Sequence, residues 1–470
     1  MSDYDVVVIG SGPAGYVAAI RASQKGLETA IVERESTERL GGTCLLRGCI
    51  PTKAMLQTAT LADKLSHAAD FGLDAEGVGV DMEKMDAFRQ KNIDKNAGGV
   101  SYLMKKNEID VHWGHGRIAG PGEVSVEDDE GNTNVLTTDK CVLATGSSCA
   151  QLPFIETDGE RILDSDQLLE STDLPDHLIV LGAGAVGVEY ASCFNDYGSE
   201  VTLIEMEDRI VPNEDAEVSA QLEKSFTRKD IDVRTAAKVT DVSRAGDGVE
   251  AVVEPVDGGE SEVIEASHFL VAVGRSPVTG DCGLDPTGVE VDERGYVHVD
   301  DYMQTDEEWI YAVGDIVADT PWLAHVGSHE GILAADHIAG EDPHTINYDH
   351  APMCTYCSPE VASVGLTEEE AEEQGYDVKT AQFPFSAIGK ATIVGQTDGF
   401  VKIVSEEKYD ELLGLHIIGP KATELITEGT IAMELESTTL EVEHTMHPHP
   451  TLSEAVGEAA HAIVGEPIHI

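Results

Sequence analysis

The feature that most constrains this fold is a unit that occurs twice. Asp5-Val-Val-Val-Ile-Gly-Ser-Gly-Pro-Ala-Gly15 and His177-Leu-Ile-Val-Leu-Gly-Ala-Gly-Ala-Val-Gly187 each run a short apolar strand into G-x-G-x-x-G. A helical pattern follows each (16–25 and 188–197), then a second strand ending in an acid, Glu33 or Glu205, 23 residues after the first glycine in both copies. Gly10 and Gly182 make the tight turn, Gly12 and Gly184 let the backbone approach a pyrophosphate, and Gly15 and Gly187 allow close helix–strand packing. The free N–H groups and dipole of the helix start favour the phosphates. The terminal acid is placed to accept from ribose hydroxyls. Two such units predict two bound dinucleotides, FAD and NAD(P). Glu205 would repel a 2′-phosphate, and Met206, Glu207 and Asp208 precede the first basic residue, Arg209, so NAD is expected over NADP.

The length of 470 residues fits three domains at about 150 residues each. No run approaches the roughly 20 apolar residues that cross a bilayer. The opening Met-Ser-Asp-Tyr-Asp lacks a basic stretch and reads as mature protein, which points to the cytoplasm. The 88 acidic and 30 basic residues give a net charge of −58, which excludes nucleic acid and anionic membrane as partners. The apolar content of 41% argues against disorder. Such self-repulsion is relieved in molar salt, where the screening length falls to about 3 Å, so a salt-adapted source is expected.

Eight cysteines are too few for a disulfide scaffold. Two pairs are close, Cys44 with Cys49 and Cys354 with Cys357, and such spacing in a cytosolic enzyme suggests redox or metal chemistry. Residues i and i+5 of a regular helix lie about 8–9 Å apart, beyond the roughly 7 Å a disulfide allows. A Cys44–Cys49 bridge therefore needs a distorted helix start, which Gly48 permits. Two buried inert thiols are the rival reading. No second pair at zinc spacing accompanies Cys354 and Cys357, or His444, His447 and His449, so no metal is expected.

The segment Gly41-Gly-Thr-Cys-Leu-Leu-Arg-Gly-Cys-Ile-Pro-Thr-Lys53 closely resembles the active-site signature of the pyridine nucleotide–disulfide oxidoreductases. Ala144-Thr-Gly146, Ala272-Val-Gly-Arg275, Trp309-Ile-Tyr-Ala-Val-Gly-Asp315, Leu323-Ala-His325 and His447-Pro-His-Pro-Thr-Leu-Ser-Glu454 extend the likeness over essentially the whole chain. The resemblance implies that Cys44 attacks substrate, that Cys49 lies beside the flavin as the charge-transfer thiolate, and that Lys53 lies near flavin N5, paired with Glu189. Read alone, Lys53 is equally a surface helix lysine. By the same resemblance FAD is held by Gly10, Gly12, Gly15, Glu33, Gly42, Thr43, Lys53, Gly116, Thr145, Gly146, Asp315 and Ala324. NAD is held by Gly182, Gly184, Ala185, Val186, Gly187, Glu205, Val239, Gly274 and Arg275. Leu46-Arg47 stands where the family commonly carries Asn-Val.

His449 sits between Pro448 and Pro450, whose fixed φ angles make a stiff loop for a proton shuttle. Thiol–disulfide exchange needs such a base. Glu454 could orient the ring, yet Thr451-Leu-Ser-Glu454 is also a capping box. The resemblance favours the catalytic role, with His449 completing the partner subunit's site in a homodimer.

The expected fold is α/β: two Rossmann-like dinucleotide-binding domains plus a C-terminal α+β dimerisation domain. FAD takes 1–150 and 276–345, NAD takes 151–275, and the interface domain takes 346–470. The expected reaction is oxidation of dihydrolipoamide to lipoamide through Cys44–Cys49 and FAD, reducing NAD+ to NADH. An NAD(P)H-dependent reductase of a small disulfide, or an assembly subunit of a 2-oxo acid dehydrogenase complex, are the rivals.

Overall fold

In the computed structural model, which describes residues 2–470, strand Tyr4–Ile9 pairs in parallel with Thr29–Glu33 on one side and Thr133–Leu143 on the other. Asp110–Trp113 and Ile310–Ala312 extend this parallel layer, while Glu123–Glu127 and His115–Gly120 continue the sheet as an antiparallel meander from the first half of Thr133–Leu143. Val6, Val7, Val8, Ile9 and all of Thr29–Glu33 are buried, which is why these strands read as continuous apolar runs. Helix Pro13–Gln24 packs on helix Ala324–Ile338 through small residues: a Cβ on Gly331 would stand 2.5 Å from Ala14 O.

The second glycine motif builds a five-stranded parallel sheet, ordered Asp232–Arg234, Glu200–Ile204, His177–Leu181, His268–Val271, Ile162–Asp164. Strands Ala237–Ala245, Gly248–Pro255 and Glu262–Ala266 form a separate antiparallel sheet whose inward Val239, Ala251 and Val253 join the core with Phe269 and Val271. The C-terminal segment is a five-stranded sheet containing Phe400–Glu406 and Leu412–Gly419, with helices Ala422–Glu434 and Glu454–Val464. Ala455, Ala459 and Ile463 of the last helix pack with Phe383, Val401 and Ile417 of this sheet.

The chain divides into two compact units. One holds residues up to Ala54, Glu83–Ala150 and Arg275–Tyr348; the other holds Met55–Met82, Gln151–Gly274 and Asp349–Ile470. The nicotinamide segment and the C-terminal segment thus share one unit, and Arg275 belongs with the flavin segments. A buried cation stitches the second unit: Lys402 Nζ lies 2.9 Å from Asp215, 2.6 Å from Glu217 and 2.6 Å from Glu368. No helix among the described residues is long and apolar enough to cross a membrane.

Candidate active site

The redox segment is a helix cut in two. Helix Gly42–Arg47 ends at Gly48 (φ −134°, ψ −113°) and helix Cys49–Ser66 starts directly after it. Gly48 sits in a tight place, where a Cβ would stand 3.0 Å from Thr43 O and 3.3 Å from Cys44 Cα. The break brings Cys49 within hydrogen-bonding reach of Cys44, the dithiol form of the couple. That bond and burial push the Cys44 thiol well up, and the nearby Lys53 charge pulls it the other way. Cys44 is half-buried and Cys49 is exposed. Leu46 packs with Ile93 and Ala97, and Arg47 forms an ion pair with Glu35, so the departure at 46–47 adds a charge that is locally matched.

Each glycine loop is built by the same contacts. Gly10 has φ +103° and a Cβ on it would lie 2.3 Å from Ala144 O; Gly182 has φ +99° and a Cβ would lie 2.6 Å from Ala272 O. Gly15 and Gly187 would strike the carbonyls of Gly10 and Gly182 at 2.0 and 1.8 Å. Gly12 and Gly184 cap their helices, and a Cβ on either meets open space. Ala185 and Val186 form the exposed first turn of the second helix. The carboxylates are fixed identically. Glu33 accepts from Ser11 N at 2.8 Å and Glu35 N at 3.0 Å, and Glu205 accepts from Ala183 N at 2.6 Å and Glu207 N at 3.0 Å. An ionised carboxylate has about four acceptor positions, so each retains capacity for ribose hydroxyls. Both loops therefore fit a dinucleotide: an open helix start for phosphate and an oriented acid for ribose. Arg209 donates to Pro212 O and lies 3.7 Å from Glu369.

The end of the flavin site converges on Asp315. Ser147 Oγ donates to Asp315 Oδ2 at 2.5 Å. Arg275, expected at the nicotinamide, donates to Ser147 Oγ at 2.8 Å and Ser147 O at 2.7 Å, because strand Arg275–Pro277 pairs with Ser147–Cys149 immediately after Gly274 closes the other unit. Thr145 Oγ1 donates to Val278 O at 2.6 Å, and Gly146 takes φ +69°. Gly116 lies against Val32 and Ile9, where a Cβ would come within 2.9 and 3.0 Å of their methyls. Ala324 opens helix Ala324–Ile338. Val239 is a core residue of its unit, and Gly274 has φ +110° with open space beside it. Ser11, Ser147 and Arg275's hydrogen bonds escaped the sequence reading, as no spacing rule marks them.

In the C-terminal segment one carboxylate serves both readings of Glu454. Its Oε1 lies 2.8 Å from His449 Nδ1, and its Oε2 accepts from Thr451 N at 2.8 Å. Thr451 Oγ1 donates instead to Pro448 O at 2.6 Å, and the helix starts only at Glu454 with Ser453 before it, so of the expected capping box only the bond from Thr451 N to Glu454 forms. Burial raises the Glu454 carboxyl, but its bonds to His449 and Thr451 outweigh that and leave it below its ordinary range. With Nδ1 directed at the carboxylate, His449 presents Nε2 outward, its side chain 79% exposed. The neighbouring histidines have separate partners: His444 lies 3.0 Å from Glu443 and His447 lies 3.2 Å from Glu428. Among the described residues no three His, Cys, Asp or Glu side chains are grouped to hold a metal. Glu189, buried on helix Ala185–Tyr197, accepts from Tyr356 N at 2.9 Å. Burial, then the Glu189 charge, pushes the Cys357 thiol far up, which makes it a poor nucleophile.

Comparison with known proteins agrees with this geometry. Residues 4–331 match the model of the pyridine nucleotide-disulphide oxidoreductases, and residues 351–460 match that family's dimerisation domain. The chain is 45% identical to dihydrolipoyl dehydrogenase of Bacillus subtilis, covering 100% of this chain and 99% of that protein. It is 40% identical to dihydrolipoyl dehydrogenase of Haloferax volcanii, covering 99% and 97%. The crystal structure of LpdA from Mycobacterium tuberculosis superposes with a TM-score of 0.89 at 29% identity, covering 97% of this chain and 99% of that one. With a redox pair on a split helix and two dinucleotide loops of one design, the chain belongs to the pyridine nucleotide-disulphide oxidoreductase family.

Proposed function

We propose that this protein is a homodimeric dihydrolipoyl dehydrogenase, using FAD and NAD, from a salt-adapted organism and working in its cytoplasm. The observation that carries the reading is the contact of Cys44 and Cys49 across the Gly48 break, with Lys53 charge beside it. Glu205, with Arg209 turned to Pro212 and Glu369, supports NAD over NADP.

The reaction follows from the order of the residues. In the oxidised couple a substrate thiol loses its proton to His449 and attacks Sγ of Cys44. The Cys44–Cys49 bond breaks, and Cys49 leaves as a thiolate. The second substrate sulfur then attacks the mixed disulfide, releasing cyclic lipoamide and the Cys44 thiol. The chemistry the cofactors supply when bound is acceptance of two electrons from the dithiol by FAD and of hydride by NAD+. Glu454 holds the His449 ring with Nδ1 at its carboxylate, which leaves Nε2 for the substrate thiol. Lys53 offsets negative charge near the cysteines. The exposed His449 serves the second copy's cysteine site. Exposed apolar side chains in the same segment, including Met446 at 94% exposure, are consistent with an interface there.

The direct test is NADH formation from dihydrolipoamide and NAD+ in molar KCl. Turnover supports the reading, and no turnover with flavin bound and the disulfide intact moves it to reduction of another disulfide. Cys49→Ser should bind FAD yet lose lipoamide turnover; retained turnover would sink the disulfide route. The net charge of −58 predicts a melting temperature that rises from dilute buffer to molar KCl, and an unchanged one would refute salt adaptation.

A further inference from the structure

The flavin unit buries a carboxylate for which the reaction above has no use. Glu330, 0% exposed, lies on helix Ala324–Ile338 between Gly327 and Gly331. Those glycines bring the helix against its neighbours: a Cβ on Gly327 would stand 3.1 Å from Ala14 Cβ and 3.3 Å from Gly314 Cα. Glu330 Oε2 accepts from Gly314 N at 2.5 Å, and Oε1 accepts from Tyr348 Oη at 3.1 Å. Gly314 takes φ +77°, a left-handed turn that presents Asp315. Asp315 is thus fixed from two directions, by Ser147 on its carboxylate and by Glu330 on the preceding backbone N–H.

We propose that Glu330 is a positioning residue: it holds Gly314, and through Gly314 sets Asp315 for the ribityl chain of FAD, so that the flavin's properties depend on the charge of Glu330. The inference rests on the FAD site proposed above. Burial raises the Glu330 carboxyl to about 7; the Gly314 and Tyr348 bonds oppose this and the Asp315 charge adds to it. The titratable groups facing it are Asp315 on the turn and Tyr348. Helix Pro13–Gln24 brings Ala14 and Ala18 to this stretch, and its Arg21 is bonded to Asp336 at 2.6 Å. Near neutral pH the site therefore gains or loses one negative charge beside a group that becomes more negative on reduction. A nearby anion disfavours that reduction.

The experiment is the flavin midpoint potential of the holoprotein as a function of pH across neutrality, in molar KCl, for wild type, Glu330→Gln and Tyr348→Phe. Wild type should show an inflection near the Glu330 carboxyl's value of about 7. Glu330→Gln should lose it, matching wild type on the acid side and lying at higher potential on the alkaline side. Tyr348→Phe removes a donor to the ionised carboxylate and should move the inflection to higher pH. An inflection unchanged in both variants, or an offset of Glu330→Gln that is equal at all pH values, overturns the proposal. Should Glu330→Gln fail to fold, an unmoved inflection in Tyr348→Phe overturns it alone. Wild type that binds no FAD would overturn both this inference and the proposed function, whereas failed dihydrolipoamide turnover with FAD bound would touch only the latter.

Discussion

The two glycine loops of this chain share their turn geometry, their acid and the hydrogen bonds that fix it, yet different segments lie over them: the redox segment over the first, and over the second a segment whose Val211 N donates to Ala183 O at 2.8 Å. In the first loop the redox segment lies on the glycines: Gly41 N donates to Ser11 Oγ at 3.1 Å, and a Cβ on Gly42 would stand 2.6 Å from Gly12 Cα. Glu33 is 8% exposed. In the second loop Ala183 replaces Ser11 and has no hydroxyl to offer, Glu205 is only half-buried, and Val186 is 41% exposed. The same motif thus carries the redox segment over its glycines in one copy, and in the other leaves its helix start and its acid more exposed. That difference is what a resident FAD and a diffusing NAD require. It arises outside the motif, from the residue between the first two glycines and from the segment laid over it.

The most severe way to break the comparison is Gly42→Ala. Gly42 has φ +58°, and its Cβ would meet backbone, not a movable side chain, so the redox segment must lift. The expected outcome is a protein that folds without FAD or not at all, a cost of about 3 kcal/mol or more when strain and overpacking combine. Gly184→Ala in the second loop meets nothing within 4 Å; it should leave flavin content and melting temperature unchanged and raise the KM for NAD+. Flavin content and NAD+ kinetics of the two purified variants decide the matter. If both variants keep FAD, the close seat of the redox segment on the first loop has no role in retaining it.

The acids give a milder contrast. Glu33→Ala would strand the N–H groups of Ser11 and Glu35 in a buried place, costing about 2–4 kcal/mol at roughly 1–3 kcal/mol per unsatisfied group with partial relief by water, read as a lowered melting temperature and lost FAD. Glu205→Ala leaves the N–H of exposed Glu207 to solvent and strands only that of buried Ala183. Stability should fall by about 1 kcal/mol, while the KM for NAD+ rises by about tenfold, the loss of one hydrogen-bonded carboxylate contact. Equal melting temperatures for the two variants would mean that the loops do not differ in how deeply their acids are buried.

How much of this was legible in the sequence follows from the range over which each residue acts. Gly10 and Gly15 are dictated by local steric demands of the chain, and Gly12 by the approach of a phosphate, so spacing identifies them, and the repeat at Gly182, Gly184 and Gly187 doubles the signal. The Cys44–Cys49 contact was readable because a regular helix forbids it and Gly48 permits it. The partner of Arg275 could not be read for a physical reason: Arg275 follows a motif that ends one unit, but Ser147 lies 128 positions away in the other. Glu330 was invisible for the same reason, since nothing in the helical pattern around it points to Gly314 or Tyr348. Glu454 was ambiguous because a capping box and a His–Glu pair use the same residues. Its two oxygens serve His449 and Thr451 at once, which no sequence pattern could divide.

The finest test exchanges the one residue by which the two loops differ between their first glycines. Ser11→Ala gives the first loop the second loop's residue. It removes the acceptor of the buried Gly41 N–H, at a cost of about 1 kcal/mol, equivalent to a roughly fivefold weaker hold on FAD. The NAD+ KM should not move, because Ser11 belongs to the flavin loop. The reciprocal Ala183→Ser places a hydroxyl at a fully buried position of the other loop, beside the Val211 segment, and should leave flavin affinity unchanged. FAD dissociation measured by flavin fluorescence for both variants separates the cases. FAD dissociation unchanged in Ser11→Ala would mean that the bond from Gly41 N to Ser11 Oγ takes no part in holding the flavin. An effect confined to Ser11→Ala would mean that it acts as the latch between the glycine loop and the redox segment, so that the site of electron acceptance and the site of disulfide exchange are held as one piece.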